Sequence, residues 1–279
     1  MNHISIEKLK NKAQEYRKTL IDITYKTGGS YLAQALSAID MMTAVFYRYL
    51  NFNPCQPDWD GRDRFLLSPG HYALPLYVLL ADLGYFDPKI LDTFKENDSP
   101  AELISHQHTL PGVEISGGSL GQVLSVGVGM ALHAKLREKN HRIFVLMSDG
   151  EQEEGQIWEA AASANHFKLN NLIAVIDKNG FQVDGPTQEV MNMEPLFDKY
   201  RAFGWNVAEV DGNNMGEVIE ALDSFTTQET KPSVLIGNTI RGKGISFLEG
   251  NVNFHYTRLD KSLMNTAEHE LTGDWDAGS

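Results

Sequence analysis

Two apolar segments separated by one helical segment constrain the fold of this chain more than any other feature of its sequence. Residues 143–147 and 172–176 each have the length of a β-strand and contain no polar side chain. Between them, a turn at Gly150 precedes a helical pattern over 157–167. Continuous apolar strands are typical of a parallel sheet that is covered on both faces. The three segments therefore predict a βαβ unit.

Other segments extend this alternation of helices and strands. The further predicted strands are 65–67, 205–210 and 234–236, and the further predicted helices are 6–23, 38–49, 74–83, 119–138 and 215–225. At the start of the helix over 119–138, Ser119 and Gln122 have the spacing of a capping box. Since the 279 residues contain no convincing linker, we predict one α/β domain over 1–279. Its architecture is expected to be a doubly wound parallel sheet with helices on both faces.

Composition and charge exclude several classes of protein. With 42% hydrophobic and 22% charged residues, the chain has the balance of a globular protein rather than of a disordered or collagen-like one. Its 37 acidic and 24 basic residues give a net charge of −13, which disfavours nucleic acid and anionic membranes as partners. Cys55 is the only cysteine, so no internal disulfide can form. There is no signal-peptide pattern and no apolar run of membrane-spanning length, so we expect a cytoplasmic protein.

Two glycine motifs match known phosphate-binding patterns only in part. In GVGMAL, residues 127–132, Leu132 stands at the third glycine position of a dinucleotide-binding fingerprint, and the motif lies inside a predicted helix. In GNTIRGKG, residues 237–244, Gly244 replaces the serine or threonine that would hold magnesium in a P-loop. Neither motif is therefore taken as a nucleotide-binding site.

Asp149 and Asn179 give a stronger indication of a ligand site. Asp149 follows the first apolar segment, and Asn179 follows the second, one βαβ step later. Because parallel strands end at the same edge of a sheet, both side chains are expected at that edge, where open α/β sheets bind ligands. A carboxylate, an amide oxygen and a loop carbonyl are suitable ligands for a magnesium ion that bridges two phosphates. Taken singly, a helix cap at Asp149 and a turn at Asn179 would be the more common roles.

The two segments around Asp149 and Asn179 together resemble the thiamine diphosphate motif, which opens with Gly-Asp-Gly and closes with Asn. Ser148 stands here at the position of the first glycine. Nearly the whole chain is similar to the N-terminal, diphosphate-binding half of transketolase. The similarity runs through NPCQPDWDGRDRFLLSPGH (53–71), LPGVEISGGSLGQ (110–122), WEAAASANHFKLNNLIAVIDKNGFQVDG (158–185) and TIRGKGISFLEGNVNFH (239–255). The resemblance implies the thiamine diphosphate-binding fold and transfer of a two-carbon ketol unit from a ketose to an aldose.

The resemblance also implies a role for each matching residue. Mg²⁺, for which Ca²⁺ or Mn²⁺ could substitute, is expected to bind Asp149, Asn179 and the carbonyl of Phe181. The cofactor thiamine diphosphate is expected to contact His71, Gly118, Ser119, Leu120, Gly150, Glu151, Asn179 and His255. Catalysis is expected to involve His71, His106, His255 and Glu154. Glu154 and Glu159 match an acidic pair at the family's subunit interface, with a solvated helix face as the alternative.

Two positions depart from the family on its sugar side. Tyr31 stands where the family has a sugar-contacting histidine, and Tyr256 follows His255 where the family usually has glycine. These departures argue against the ordinary pentose phosphates and leave another sugar phosphate or a modified sugar as the expected substrate. His106 matches a substrate-contacting family histidine, but its loop is short and His108 is the alternative. The remaining histidines are expected on the surface or in packing: His3, His133, His141, His166 and His269.

The family requires a pyrimidine-binding domain, and this sequence ends at Ser279 before one could begin. We therefore expect one subunit of a split transketolase, paired with a C-terminal, pyrimidine-binding subunit in a heterotetramer. Two alternatives stay open. One is a subunit of another thiamine diphosphate enzyme, such as the first component of a 2-oxo acid dehydrogenase or a deoxyxylulose-phosphate synthase. The other is a non-catalytic regulatory paralogue, which the missing histidine at Tyr31 supports.

Overall fold

The computed structural model describes residues 4–226 and 230–272, so His3 lies outside the described residues. Its strands are β1 (Arg64–Leu67), β2 (Ile143–Ser148), β3 (Leu172–Lys178), β4 (Asn206–Asp211) and β5 (Ser233–Asn238). They form a sheet in the order β1-β2-β3-β5-β4, and each neighbouring pair is parallel. The predicted parallel α/β architecture is confirmed.

Helices connect these strands. They are α1 (Ile6–Lys26), α2 (Leu32–Ala44), α3 (Ala73–Asp82), α4 (Gln122–Leu136), α5 (Gly155–His166), α6 (Thr187–Val190), α7 (Leu196–Ala202), α8 (Met215–Phe225) and α9 (Lys261–Thr272). None of the helices in the described ranges combines the length and apolar character needed to cross a bilayer.

The sheet separates two apolar cores. Successive residues of a strand point to opposite faces, and on β2 Phe144 and Leu146 pack with α1, α2, α3, α8 and α9. Val145 and Met147 pack on the other face with α4, α5 and α7. All six residues of β2 are buried, as the continuous apolar run predicts. Helices therefore cover both faces, as expected for a doubly wound sheet.

Helix α2 begins earlier than the sequence predicts. The helical pattern indicates a start near residue 38, whereas α2 spans Leu32–Ala44 and continues as a π-helical turn over Val45–Tyr49. Every residue of α2 is buried, so there is no polar face from which its first turn could be recognised. Tyr31 precedes the helix without a side-chain capping bond. Gln34 therefore lies in the first turn of α2.

The capping box predicted at Ser119 is wrong. Helix α4 begins at Gln122, and its N-cap is Gly121 rather than Ser119. The Gly121 N–H donates to the Glu151 carboxylate at 2.7 Å. Gly121 has φ +85°, and a Cβ there would lie 2.5 Å from the Cβ of Glu154. Glycine is therefore required where this loop passes the β2–α5 connection.

Candidate active site

The carboxyl ends of β2 and β3 meet as the sequence predicts. Their register pairs Ser148 with Asp177, so the residues that follow the two strands lie side by side. The Asp149 carboxylate accepts a hydrogen bond from the Gly180 N–H at 2.7 Å. The Asp149 N–H donates to the Asp177 carbonyl at 3.2 Å. Asp149 is therefore bound directly to the segment that carries Asn179.

Both ordinary roles considered for Asp149 and Asn179 are present as well. The second Asp149 oxygen accepts from the Gly150 N–H at 2.9 Å and caps the short 3₁₀ helix Gly150–Glu153. The amide oxygen of Asn179 accepts from the Phe181 N–H at 3.1 Å, which forms a turn. A carboxylate or amide oxygen has more than one acceptor position. These hydrogen bonds therefore fix the conformation of the sheet edge and leave acceptor positions on its oxygens available to a ligand.

The oxygens at this edge fit a hard divalent cation. In the described ranges no residue donates a hydrogen bond to the Phe181 carbonyl. With the Asp149 carboxylate and the Asn179 amide oxygen it makes the mixed oxygen set that Mg²⁺ accepts. The described residues contain no group of three or more His, Cys, Asp or Glu suited to a metal. The predicted set includes only one such side chain, so its donor chemistry suits a cation that also takes ligands from a diphosphate.

Asp177 organises this edge and was not identified from the sequence. It is fully buried and accepts hydrogen bonds from Ser37, Tyr72, Asn179 and Thr239 at 2.7, 2.8, 2.9 and 2.6 Å. Because the Asn179 NH₂ donates to Asp177, its amide oxygen must face the other way, towards Phe181. Burial raises the pKa of Asp177. Burial and the Asp177 charge together raise the pKa of Asp149 to about 7.

A cavity of about 440 Å³ opens at the same edge. The predicted site residues that line it are His71, Gly118, Leu120, Gly150, Glu154, Asn179, Phe181 and His255. Asp149 is 6% exposed and lies behind Gly150. Site residues predicted from five separate parts of the sequence therefore converge on one cavity.

Other predicted residues do not reach the cavity wall. Ser119 is exposed in the loop between Gly118 and α4. Glu151 is fully buried and accepts hydrogen bonds from Ser68, the Gly121 N–H and, at 3.3 Å, the Ser148 N–H. It therefore holds the loop that precedes α4 in place and does not face the cavity. Burial raises the pKa of Glu151.

The two histidines considered for substrate contact also lie outside the cavity lining. The ring of His106 is half exposed and is paired with Glu102. His108 has a positive φ of 72° and borders a separate surface cleft around Arg62 and Glu114. Glu154 and Glu159 are both exposed in the isolated chain.

Three aromatic rings form the opposite side of the cavity. The ring centroid of Tyr31 lies 5.0 Å from that of His71 and 5.5 Å from that of His255, and the two histidine rings are 5.9 Å apart. Burial, with the neighbouring His255 and Arg241, lowers the pKa of His71 to about 3. Burial and Arg241 lower the pKa of His255 to about 4. Both imidazoles are therefore neutral at physiological pH and act through hydrogen bonds rather than charge.

Gln34 and Arg241 complete this side and were not predicted. Arg241 is 1% exposed, its guanidinium lies 5.6 Å from the Phe181 ring centroid, and it donates to His255 Nδ1 at 3.2 Å. The GNTIRGKG segment that carries Arg241 follows β5 with turns instead of the helix that a P-loop requires. Its position after a strand of the same sheet was the available signal for Arg241. The sequence contains no comparable signal for Gln34, since the helical pattern indicates a start of α2 beyond it.

A parallel α/β sheet with a polar cavity at the carboxyl ends of its strands defines a ligand-binding protein of the doubly wound class. A family model described as transketolase, thiamine diphosphate binding domain, matches residues 9–276. The chain belongs to this family.

Named relatives and solved structures agree with the family match. An apulose-4-phosphate transketolase subunit from Phocaeicola vulgatus is 39% identical over 255 residues, 91% of this chain and 90% of that protein. The 6-deoxy-6-sulfo-D-fructose transketolase subunit SqwG of Clostridium sp. is 38% identical, over 94% of this chain and 96% of that protein. The crystal structure of transketolase from Campylobacter jejuni superposes with a TM-score of 0.89 at 29% identity, covering 96% of this chain but 43% of that one. The chain thus spans less than half the length of this solved transketolase.

Proposed function

We propose that this chain is the thiamine diphosphate-binding subunit of a two-chain transketolase, which transfers a two-carbon ketol unit from a ketose to an aldose. The observation that carries the proposal is the convergence of Asp149, Gly150 and Asn179 with His71 and His255 around one cavity. Relatives that match this chain over nearly their whole length are named as subunits of transketolases. This supports a partner chain that carries the pyrimidine-binding domain, in a heterotetramer with two copies of each subunit.

The sheet edge is proposed to hold the diphosphate through Mg²⁺. Asp149, Asn179 and the Phe181 carbonyl supply oxygen ligands, and Gly150 allows the diphosphate to approach the backbone closely. The buried guanidinium of Arg241 adds a positive charge behind the cavity. When bound, thiamine diphosphate supplies the nucleophilic carbon and the electron sink for cleavage of the carbon–carbon bond.

The residues of this chain position and polarise the substrate. Neutral His71 and His255 can each donate a hydrogen bond to an oxygen that gains negative charge as the bond is formed or broken. Leu120 lines the cavity beside Gly118, where the family wedges the cofactor. His106 reaches substrate in this proposal only if its loop moves, because its ring now pairs with Glu102.

The substrate is proposed to be a modified sugar or sugar phosphate. Tyr31 packs against both His71 and His255, so a ring that can offer only a hydroxyl stands where the family has an imidazole on the sugar side. Tyr256 packs edge-to-face on Tyr31 with the ring centroids 5.3 Å apart. The two named relatives act, by their names, on apulose 4-phosphate and on 6-deoxy-6-sulfo-D-fructose. These names agree with a substrate outside the ordinary pentose phosphates.

Reconstitution with the chain encoded beside this one tests the proposal. We expect ketol transfer that depends on thiamine diphosphate and Mg²⁺, measured over a panel of ketose phosphates and modified sugars. Asp149→Ala is expected to reduce turnover by at least about 100-fold without unfolding the chain, because even outer-shell partners of metal ligands contribute about 10–100-fold. Asp198→Ala, at an exposed aspartate on α7, is the matched control and should leave turnover unchanged.

Three results would overturn parts of the proposal. Retained turnover of Asp149→Ala at ordinary Mg²⁺ would contradict the metal ligand. Pyruvate decarboxylation without ketol transfer would instead indicate another thiamine diphosphate enzyme. Calorimetry that detects no Mg²⁺-dependent thiamine diphosphate binding in the presence of the partner would indicate a regulatory paralogue.

A further inference from the structure

One nitrogen of His255 receives two hydrogen bonds from buried side chains. Gln34, 3% exposed in the first turn of α2, places its Nε2 2.9 Å from His255 Nδ1 and 3.1 Å from the His255 carbonyl oxygen. Arg241 places Nη2 3.2 Å from the same Nδ1. In the described part of the chain, no residue forms a hydrogen bond with His255 Nε2.

The chemistry of these groups determines the tautomer of His255. A guanidinium has no acceptor, so Nδ1 must accept the hydrogen bond from Arg241. A carbonyl oxygen can only accept, so the NH₂ group of Gln34 and not its oxygen must face the His255 carbonyl. Gln34 therefore also donates to Nδ1. A neutral imidazole whose Nδ1 accepts carries its proton on Nε2.

Packing does not explain why a glutamine stands at position 34. Its Oε1 is buried and has no hydrogen-bond partner among the described residues, and the same holds for Nε of Arg241. An unpartnered buried polar atom is costly, and an apolar side chain would avoid that cost. A buried unsatisfied group in a folded protein therefore calls for an explanation, and a role in catalysis is one of the recognised ones.

We propose that Gln34 is a positioning residue that holds His255 as the Nε2–H tautomer, so that this ring donates a hydrogen bond into the cavity. The donor role rests on the proposed function, since His255 would donate to a bound anion or to a substrate oxygen. Gln34 acts through His255 and does not itself react. Arg241 supports the same tautomer through its own contact with Nδ1.

Nitrogen-15 NMR of the full chain with labelled histidines tests the tautomer at pH 7. The His255 signals are assigned as those lost in His255→Gln. We expect an unprotonated Nδ1 and a protonated Nε2 in the wild type. In Gln34→Glu the new carboxylate can accept but not donate, and it draws the Arg241 guanidinium away from Nδ1 into an ion pair, so we expect the proton on Nδ1. Gln34→Met keeps a side chain of similar length but removes both N–H donors of the amide, so we expect a mixture of tautomers.

A matched control separates charge from position. Gln56→Glu introduces the same charge at an exposed glutamine and should leave the His255 signals unchanged. A protonated Nδ1 in the wild type would overturn the tautomer assignment, and a wild-type pattern in Gln34→Glu would overturn the role of Gln34. If Gln34→Glu does not fold, as judged by circular dichroism, Gln34→Met decides: a pure wild-type pattern there overturns the role of Gln34.

Activity of the reconstituted pair tests the donor role separately. Gln34→Glu is expected to lower kcat at least about tenfold, because a group that donates to a developing negative charge is lost. KM for the ketose should change by less than about twofold, since uniform binding is retained. A changed tautomer with unchanged kcat would overturn the donor role. If the wild-type pair shows no ketol transfer, the proposed function fails while the NMR result still decides the tautomer.

Discussion

The two ends of the cavity are built in different ways. The sheet edge, comprising Asp149, Gly150, Asn179 and Phe181, follows two adjacent strands, and backbone N–H groups donate to the side chains of Asp149 and Asn179. The aromatic wall, comprising Tyr31, His71 and His255, brings together three segments distant in the chain through contacts between rings. The geometry of the sheet edge therefore follows from the fold, whereas that of the aromatic wall depends on the individual side chains.

Under the proposed function, this difference would separate cofactor binding from sugar selection. A strand end cannot move without disturbing the parallel register of β2 and β3. The rings of the aromatic wall contact one another through their side chains, so replacing one ring does not by itself require the backbone to move. We therefore expect substitutions at the sheet edge to affect stability and cofactor binding, and substitutions on the aromatic wall to affect the choice of sugar.

The largest effect is expected from Asn179→Asp. The Asn179 NH₂ donates to the buried Asp177 carboxylate at 2.9 Å, and the substitution replaces this donor with a second carboxylate. Uncompensated charge in a buried site costs about 3–5 kcal/mol, so the free energy of unfolding should fall by that amount in a urea titration. Asn192→Asp is the control, because its acceptor oxygen and its bond from the Glu194 N–H are kept. A loss below about 1 kcal/mol would contradict the role of Asn179 at the sheet edge.

An intermediate effect is expected from Tyr31→His, which restores an imidazole to the aromatic wall. The ratio of kcat/KM for an ordinary pentose phosphate to that for the preferred sugar should rise by about tenfold, the scale of a changed pocket contact. The Kd for thiamine diphosphate should change by less than about twofold, or about 0.4 kcal/mol. Tyr256→Phe, which loses only the hydroxyl bond to Lys95, is the milder comparison. Equal changes in the Kd for thiamine diphosphate and in the kcat/KM ratio would contradict the distinction between the sheet edge and the aromatic wall.

The smallest effect is expected in the pH dependence of stability. The folded pKa values of about 3 for His71 and about 4 for His255 lie below the ordinary value of 6.5. Between these values the unfolded chain binds protons that the folded chain does not, so the free energy of unfolding falls as pH decreases from about 6.5 to 4. Asp149, with its pKa raised to about 7, has the opposite slope, so the histidine contribution must be measured by difference.

Unfolding of His71→Asn/His255→Asn across this pH range measures that difference. In the double variant, the free energy of unfolding should depend less steeply on pH. The reduction should be at most about 1.4 kcal/mol per pH unit for each histidine, and less for the partly exposed His255. An unchanged slope in the double variant would contradict the lowered pKa values of His71 and His255 in the folded protein.

The same difference explains what the sequence could predict. Apolar strand runs identify β2 and β3, and the spacing of these runs is enough to predict that Asp149 and Asn179 lie at one edge. Gln34 escaped prediction because α2 is buried on all sides and its first turn carries no amphipathic pattern. The supporting position of Glu151 could not be predicted either, since it depends on a loop that approaches from a distant segment. The ends of strands can be predicted from the pattern of apolar residues in the sequence. Contacts between loops depend on tertiary packing, which that pattern does not describe.

Asp177 joins the two ends of the cavity. Its four donors include Ser37 on the helix that carries Gln34, Tyr72 beside His71, and Thr239 two positions before Arg241. The fourth donor is Asn179 itself. Substitution of Tyr31 leaves all four of these hydrogen bonds in place, whereas a change at Ser37 or Thr239 removes one of them and would disturb the sheet edge and the aromatic wall at once. A single buried anion therefore couples the two parts of the cavity.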